Sequence, residues 1–171
     1  MKLNFSLISL LILTSCVAGT NSEIHAIKKL KQPLSKLDRI GVQIPKDGRY
    51  EHTIYEGSGI KTATAFEHEF RKHNVEVELL NCLTNHCAQI ASDKGLSYIL
   101  ILEILHWEER QTTWSGRTDR LTIQATVINV PMKDRLTSSY LQGVGTRNTL
   151  GGEHVQDLLL RLASEYISSL Y

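Results

Sequence analysis

The chain has 171 residues, of which 42% are hydrophobic and 22% are charged, so its composition is that of a globular protein and excludes a disordered or fibrous one. The 19 Lys and Arg residues nearly balance the 18 Asp and Glu residues, so no overall field attracts nucleic acid, and we predict no nucleic-acid partner. The length suits a single domain with one core.

The first residues are typical of a bacterial lipoprotein signal peptide. One lysine precedes an apolar run over residues 5–13, and the run leads into the sequence LTSC, which ends at Cys16. The run is too short to cross a membrane as a helix, which takes about 20 residues. We therefore predict that residues 1–15 are removed and that the Cys16 thiol is joined to fatty chains, which hold the protein on a membrane. The alternative is an ordinary secretory leader that is cut after Ala18.

Residues 16–37 are predicted to form a solvated tether between the anchor and the folded domain. The segment begins with small polar residues and continues with four lysines around Pro33. As an alternative, Ile24, Ile27 and Leu30 would lie on one side of a short helix at the lipid surface. Lipoproteins retained in the inner membrane often carry Asp directly after the lipidated cysteine. Val17 stands there, so the similarity to this class of protein implies the periplasmic face of the outer membrane.

The folded domain is predicted to span residues 38–171 and to begin with two strand–helix units. Alternating apolar residues over 40–44 predict a first strand, and apolar positions three and four apart predict a helix over 59–73. The alternation over 75–79 predicts a second strand with one wet face near a sheet edge, and the stripe from Leu83 to Ala91 predicts a second helix. Residues 97–106 are apolar on both faces, which predicts a central strand.

The second half of the domain is predicted to be a hairpin followed by a helix. Residues 121–127 and 136–146 both read as strands and are separated by turn residues. An apolar stripe over 155–170 predicts a closing amphipathic helix. The order βαβαβββα predicts a single α+β domain, with a mixed sheet and helices mainly on one face.

Cys82 and Cys87 are predicted to form a disulfide, because an exported protein meets an oxidising compartment. The bond can close only if Cys82 lies at or before the start of the second helix. A metal site with His73 and His86 is the alternative, but the C-x2-C spacing of zinc motifs is missing. We predict no metal and no cofactor.

The polar segment 106–120 is the candidate binding site. It holds both tryptophans, with acids and arginines between them, where a central strand passes into the hairpin and loops often build sites. One interpretation is a recognition patch for peptidoglycan, a polysaccharide or an envelope protein. In the other interpretation, Trp107 covers an edge of the core and the arginines pair with the acids to stabilise the loop. The patch consists of His106, Trp107, Glu108, Arg110, Trp114, Asp119 and Arg120.

Enzyme chemistry has little support in the residues. Glu108 and Asp119 would form the acid and base of a glycan-acting enzyme, but the sequence does not fix their separation. Ser58 lies between Gly57 and Gly59 without the spacing of a nucleophile elbow, so it is predicted to cap a helix. The same glycines could offer N–H groups to an anion, although a phosphate-loop lysine is missing. We predict no catalytic residue.

Several segments together resemble a family of small Gram-negative lipoproteins that is grouped as a domain of unknown function. The resemblance covers about residues 38–171 and implies an envelope compartment, but it implies no reaction. The order of elements is also similar to the amino-terminal domain of TolB and to lipoprotein activators of cell-wall synthases, which implies a periplasmic docking domain at the level of fold alone. The segments are LTSC (13–16), GRY (48–50), YEGSG (55–59), HWEER (106–110), WSG (114–116), DR (119–120), GGEH (151–154) and QDLL (156–159).

The leading hypothesis is therefore a non-enzymatic lipoprotein on the outer membrane that binds an envelope component through the patch. A cell-wall glycan enzyme and a purely structural subunit of an envelope assembly are the alternatives.

Overall fold

The computed structural model describes residues 21–82, 84–109, 118–145 and 153–171. They form three helices, a main sheet and a small two-stranded hairpin. In chain order the elements are β1 (Asn21–Lys28), β2 (Ile40–Gln43), β3 (Arg49–Tyr50), β4 (Thr53–Ile54), α1 (Ser58–Lys72), β5 (Val77–Leu80), α2 (Thr84–Asp93), β6 (Tyr98–Glu108), β7 (Arg120–Asn129), β8 (Asp134–Val144) and α3 (Val155–Ser168).

The main sheet has six strands in the spatial order β1-β8-β7-β6-β2-β5. Strand β2 runs parallel to β5 and to β6, because a helix crosses over between each strand and the next. The remaining neighbours, β6 with β7, β7 with β8 and β8 with β1, are antiparallel. The predicted class, an α+β domain with a mixed sheet, is confirmed, and β5 lies at a sheet edge as its wet face indicated.

Helices α1 and α3 pack on one face of the sheet, and α2 packs on the other. Phe66 of α1 meets Tyr166 of α3 edge-on, with ring centroids 6.2 Å apart, and both side chains are buried in the main core. On the opposite face, Cys87 of α2 packs in a smaller core with Ile99 of β6. Because β6 lies between the two cores, it is apolar on both faces, as expected for a central strand.

The predicted tether is corrected over residues 21–37, which belong to the folded unit. Strand β1 pairs antiparallel with β8 from Asn21 opposite Val144 onward, so neither a solvated linker nor a short helix forms there. Leu34 is 7% exposed, and its N–H donates to the Leu170 carbonyl at 2.8 Å. The local pattern did not reveal β1 because its partner strand lies at the far end of the chain. Residues 49–54, predicted as loop, form the β3–β4 hairpin.

Cys82 and Cys87 are joined by a disulfide. Cys82 precedes the first residue of α2, which is the placement that the five-residue spacing required. Leu83, which was assigned to the helical stripe, lies outside the described residues, as do residues 1–20 with the predicted signal peptide and Cys16. None of the described helices has the length and apolar character needed to cross a membrane.

Replacing Phe66 by Ala is expected to lower the free energy of unfolding by about 3–5 kcal/mol, because it leaves a cavity where α1 meets α3. The matched control is Ile60→Ala on the same helix, where the side chain is 44% exposed and the cost should stay below about 1 kcal/mol. Urea unfolding followed by circular dichroism, with the disulfide intact, measures both. Equal losses for the two variants would contradict this assignment of the core.

Candidate functional site

A bulge in β6 decides which way the residues of the predicted patch point. Register runs evenly to Ile104 opposite Ile123 and resumes at His106 opposite Thr122, so Leu105 is an extra residue. Simple alternation from Ile104 would place His106 on the main core side. The bulge reverses this, so that Trp107 enters the main core, opposite Leu121.

Trp107 is therefore a core residue. Its side chain is 1% exposed, and the Tyr55 ring lies 6.5 Å away from the indole. The backbone at Gly48 approaches the indole so closely that an added Cβ would stand 2.6 Å from the Trp107 Cβ. The predicted patch is corrected here, because a buried indole offers no surface to a ligand. The structural interpretation, in which Trp107 packs on the core, describes this residue.

His106 and Glu108 point together to the other face, where Tyr50 of β3 joins them. His106 Nε2 lies 3.2 Å from Glu108 Oε2, and the rings of Tyr50 and His106 meet edge-on with centroids 5.1 Å apart. A hydrogen bond from the Tyr50 hydroxyl to Glu108 raises the pKa of Tyr50, because a phenolate would lose that bond and face a negative charge. We call Tyr50, His106 and Glu108 the carboxylate cluster; Glu108 is its buried centre and His106 is partly exposed.

The loop that presents Tyr50 is held by its own polar groups. Both carboxylate oxygens of Asp47 accept backbone N–H groups, from Gly57 at 3.1 Å and Gly59 at 2.8 Å. The N–H groups that were considered for an external anion are therefore bound by Asp47. Ser58 is not the helix cap, which is Gly57; its hydroxyl accepts the Gly48 N–H at 2.7 Å. These bonds fix the segment that places β3 against β6.

Asp119 stabilises the start of α3. Its Oδ2 accepts the Val155 N–H at 3.2 Å, and its carbonyl accepts the Gly145 N–H at 2.9 Å. A capping box between His154 and Asp157 adds further bonds at the same helix end. A carboxylate at this position also interacts favourably with the helix dipole. Asp119 is 7% exposed, so it connects the hairpin to α3 and is not displayed on the surface.

The described part of the patch is thus smaller than the sequence suggested. Glu108 lies opposite Arg120 in the β6–β7 register, and Arg120 is exposed. Arg110 and Trp114 lie outside the described residues. Sequence reasoning missed Tyr50, because its strand is two residues long; the only signal was its place in the family segment GRY.

The arrangement favours hydrogen bonding and charge recognition. The carboxylate cluster joins an imidazole and a phenol to one carboxylate, and Arg120 adds a cation on the neighbouring strand. Within the described ranges, no three His, Cys, Asp or Glu side chains come together in a way that could hold a metal ion.

A family model described as a domain of unknown function (DUF4823) matches residues 32–170. The chain belongs to this family. This agrees with the expected small-lipoprotein family of unknown function, and it assigns no reaction. No curated protein sequence matches the chain.

Solved structures share the fold at low sequence identity. The PelC dodecamer from Paraburkholderia phytofirmans is 12% identical, with a TM-score of 0.68 over 88% of this chain and 97% of PelC. Protein XCC0632 from Xanthomonas campestris, of family DUF330, is 10% identical, with a TM-score of 0.52 over 84% of this chain and 90% of that protein. Lipoprotein GNA1162 from Neisseria meningitidis is 13% identical, with a TM-score of 0.49 over 77% of this chain and 96% of that protein. At such identities the likeness to PelC and to XCC0632 is one of fold alone.

Replacing Asp119 by Ala should lower the free energy of unfolding by about 1–2 kcal/mol, because α3 loses an acceptor at its first turn. Asp119→Asn keeps an oxygen acceptor without the charge and should cost less. Asp93→Ala, at the exposed end of α2, is the matched control. Denaturant unfolding gives the energies, and hydrogen exchange at the Val155 amide reports the helix end. Unchanged exchange in Asp119→Ala would refute the assigned role.

Proposed function

We propose that the protein is a lipoprotein anchored through Cys16 to the periplasmic face of the outer membrane, and that its domain is a non-enzymatic docking module. The observation that carries the proposal is the short distance along the chain between the lipobox cysteine and the fold. Strand β1 begins at Asn21, and five extended residues reach at most about 18 Å. An anchor at Cys16 would therefore hold β1 beside the bilayer.

The positions of the acids support a docking role over glycan hydrolysis. A hydrolase built on Glu108 and Asp119 would need both carboxylates available to the substrate. Instead, Asp119 accepts a backbone N–H of α3, and Glu108 accepts from Tyr50 and contacts His106. Both groups serve the fold at this end of the sheet. The docking surface we propose consists of His106 and Arg120, with Arg110 and Trp114 from the adjoining segment.

A role as a structural subunit is the second candidate. PelC, which has a similar fold over 88% of this chain, is a dodecamer. A module of this fold can therefore assemble into many copies. Native mass spectrometry of the detergent-solubilised protein distinguishes the candidates, since a docking module would be a monomer before its partner binds and a structural subunit would form a closed assembly.

Replacing Cys16 by Ser should abolish lipidation, leader removal and recovery in the outer-membrane fraction. The parent protein should show the mass of fatty chains on its first residue by intact mass spectrometry. The double variant Cys82→Ser, Cys87→Ser is the control, because it removes the disulfide and leaves the anchor. Val17→Asp should move the protein to the inner membrane. A Cys16→Ser form that is processed normally and found in the soluble periplasm, as the parent is, would overturn the anchor.

A photo-crosslinking residue in place of Arg120 should capture an envelope component in living cells, and the same residue at exposed Lys61 on α1 should not. Arg110→Ala with Trp114→Ala should reduce capture at least tenfold if these side chains contact the partner. Capture that is unchanged by the double substitution would show that Arg110 and Trp114 do not form the docking surface. Release of soluble fragments from isolated peptidoglycan by the purified protein would instead favour a glycan-acting enzyme.

A further inference from the structure

Two cationic segments meet at the end of β1 that lies farthest from the anchor. The Lys28 ammonium donates to the Arg135 carbonyl and lies 3.8 Å from Asp134, so residues 28–31 run beside the β7–β8 turn. Thr137 secures the same junction, because its hydroxyl donates to the Lys28 carbonyl at 2.7 Å. Asp134 is the only acid in the two segments 28–31 and 133–135. We call their cations the basic surface: Lys28, Lys29, Lys31, Lys133 and Arg135.

Most of this charge is available to an external partner. Lys29, Lys31, Lys133 and Arg135 are exposed, and none of them forms an ion pair with another described residue. The whole chain carries a formal net charge of only +1, so the basic surface is a local excess and not part of a general one. The end of β1 nearer Cys16 is different in sign, since Glu23 lies there and contacts His25 at 2.9 Å.

A groove of about 320 Å³ lies between the two cationic segments. Apolar side chains of Leu30, Leu34 and Leu136 line it together with the cations Lys28 and Lys31 and with polar groups that include Asp134. Cations beside apolar side chains match the chemistry of a phospholipid at the level where an anionic headgroup joins its hydrocarbon chains.

The position of β1 brings this surface to the bilayer. Strand β1 is an edge strand whose only neighbour among the described strands is β8. Its eight residues span about 26 Å, from the end beside Cys16 to the basic surface. Ile27 is 55% exposed next to Lys28, so an apolar side chain accompanies the cations. If the edge lies along the membrane, both ends of β1 can touch lipid.

We propose that the basic surface binds anionic phospholipid headgroups, so that β1 lies along the bilayer with the lipid anchor at one end and the basic surface at the other. This inference rests on the proposed anchor at Cys16. Each Lys or Arg near an anionic membrane contributes about 1 kcal/mol, and salt screens the attraction. The proposed docking surface lies at the Glu108 end of β6, which is on the same side of the sheet as the start of β1, so it then lies near the anchor. Helices α1 and α3 keep a fixed orientation above the membrane.

The test measures lysine reactivity in the full mature protein, reconstituted in nanodiscs of phosphatidylcholine alone or of phosphatidylcholine with phosphatidylglycerol. Mass spectrometry follows amine labelling of Lys29, Lys31 and Lys133, with exposed Lys61 as internal reference. We expect labelling of the three lysines to slow at least threefold in anionic discs and to recover in high salt, while Lys61 does not change. Equal labelling in both kinds of disc would overturn the proposal.

Charge-reversal variants locate the effect. Lys31→Glu with Lys133→Glu should abolish the protection of Lys29 in anionic discs. The control pair, Lys46→Glu with Lys61→Glu, makes the same change in net charge at exposed positions away from the basic surface and should leave Lys29 protected. In this variant exposed Lys72 replaces Lys61 as the labelling reference. Matching unfolding midpoints show that both variants fold. Protection of the three lysines by soluble dextran sulfate and not by anionic discs would assign the surface to a polymer and refute lipid binding.

Failure of the anchor and failure of this surface give different results. If intact mass shows no fatty chain on Cys16, the proposed function fails, and flotation of the unlipidated protein with phosphatidylglycerol vesicles but not with phosphatidylcholine vesicles would still support the basic surface. If Cys16 is lipidated and the lysines label equally in both discs, the anchor stands and the basic surface does not bind lipid.

Discussion

The single extra residue in β6 determines which side chains enter the main core at the Glu108 end of the strand. Up to Ile104 the strand alternates between the main core and the opposite face, and at Leu105 the alternation changes phase. This bulge places the largest side chain of the segment, Trp107, in the core, and places His106 and Glu108 outside it. The same three residues without the bulge would turn the indole away from the main core and turn the polar pair into it.

Because Glu108 and Asp119 are buried, each carboxylate needs hydrogen-bond partners within the protein. A buried carboxylate is stable only when hydrogen bonds replace its water shell, and Glu108 obtains them from Tyr50 and the partly exposed His106. Asp119 obtains its own from the first turn of α3. Acids that look like a catalytic pair in the sequence therefore join the hairpin, the β3 loop and the last helix into one unit.

Local periodicity was sufficient for most of the fold. The stripe of Phe66 and Phe70 marked α1, the two-sided apolar run marked β6, and clean alternation marked β7. It failed for β1, whose residues beside lysines resemble a linker until β8 pairs with them. It failed also for the β3–β4 hairpin, whose strands are too short to show a period. For the candidate site, the sequence indicated a polar segment with both tryptophans and did not indicate which way the side chains of residues 106–108 point.

The sequence by itself determined the elements with a strong period, their order and the class of the fold, because hydrophobic patterns of period 2 and 3.6 are properties of neighbouring residues. Only the tertiary structure decided that residues 21–28 complete the sheet, that Tyr50 reaches Glu108 and that Trp107 is buried. Each of these depends on a contact between residues far apart in the chain or on a shift in strand register. Such relations arise when the strands pair, and no local pattern encodes them.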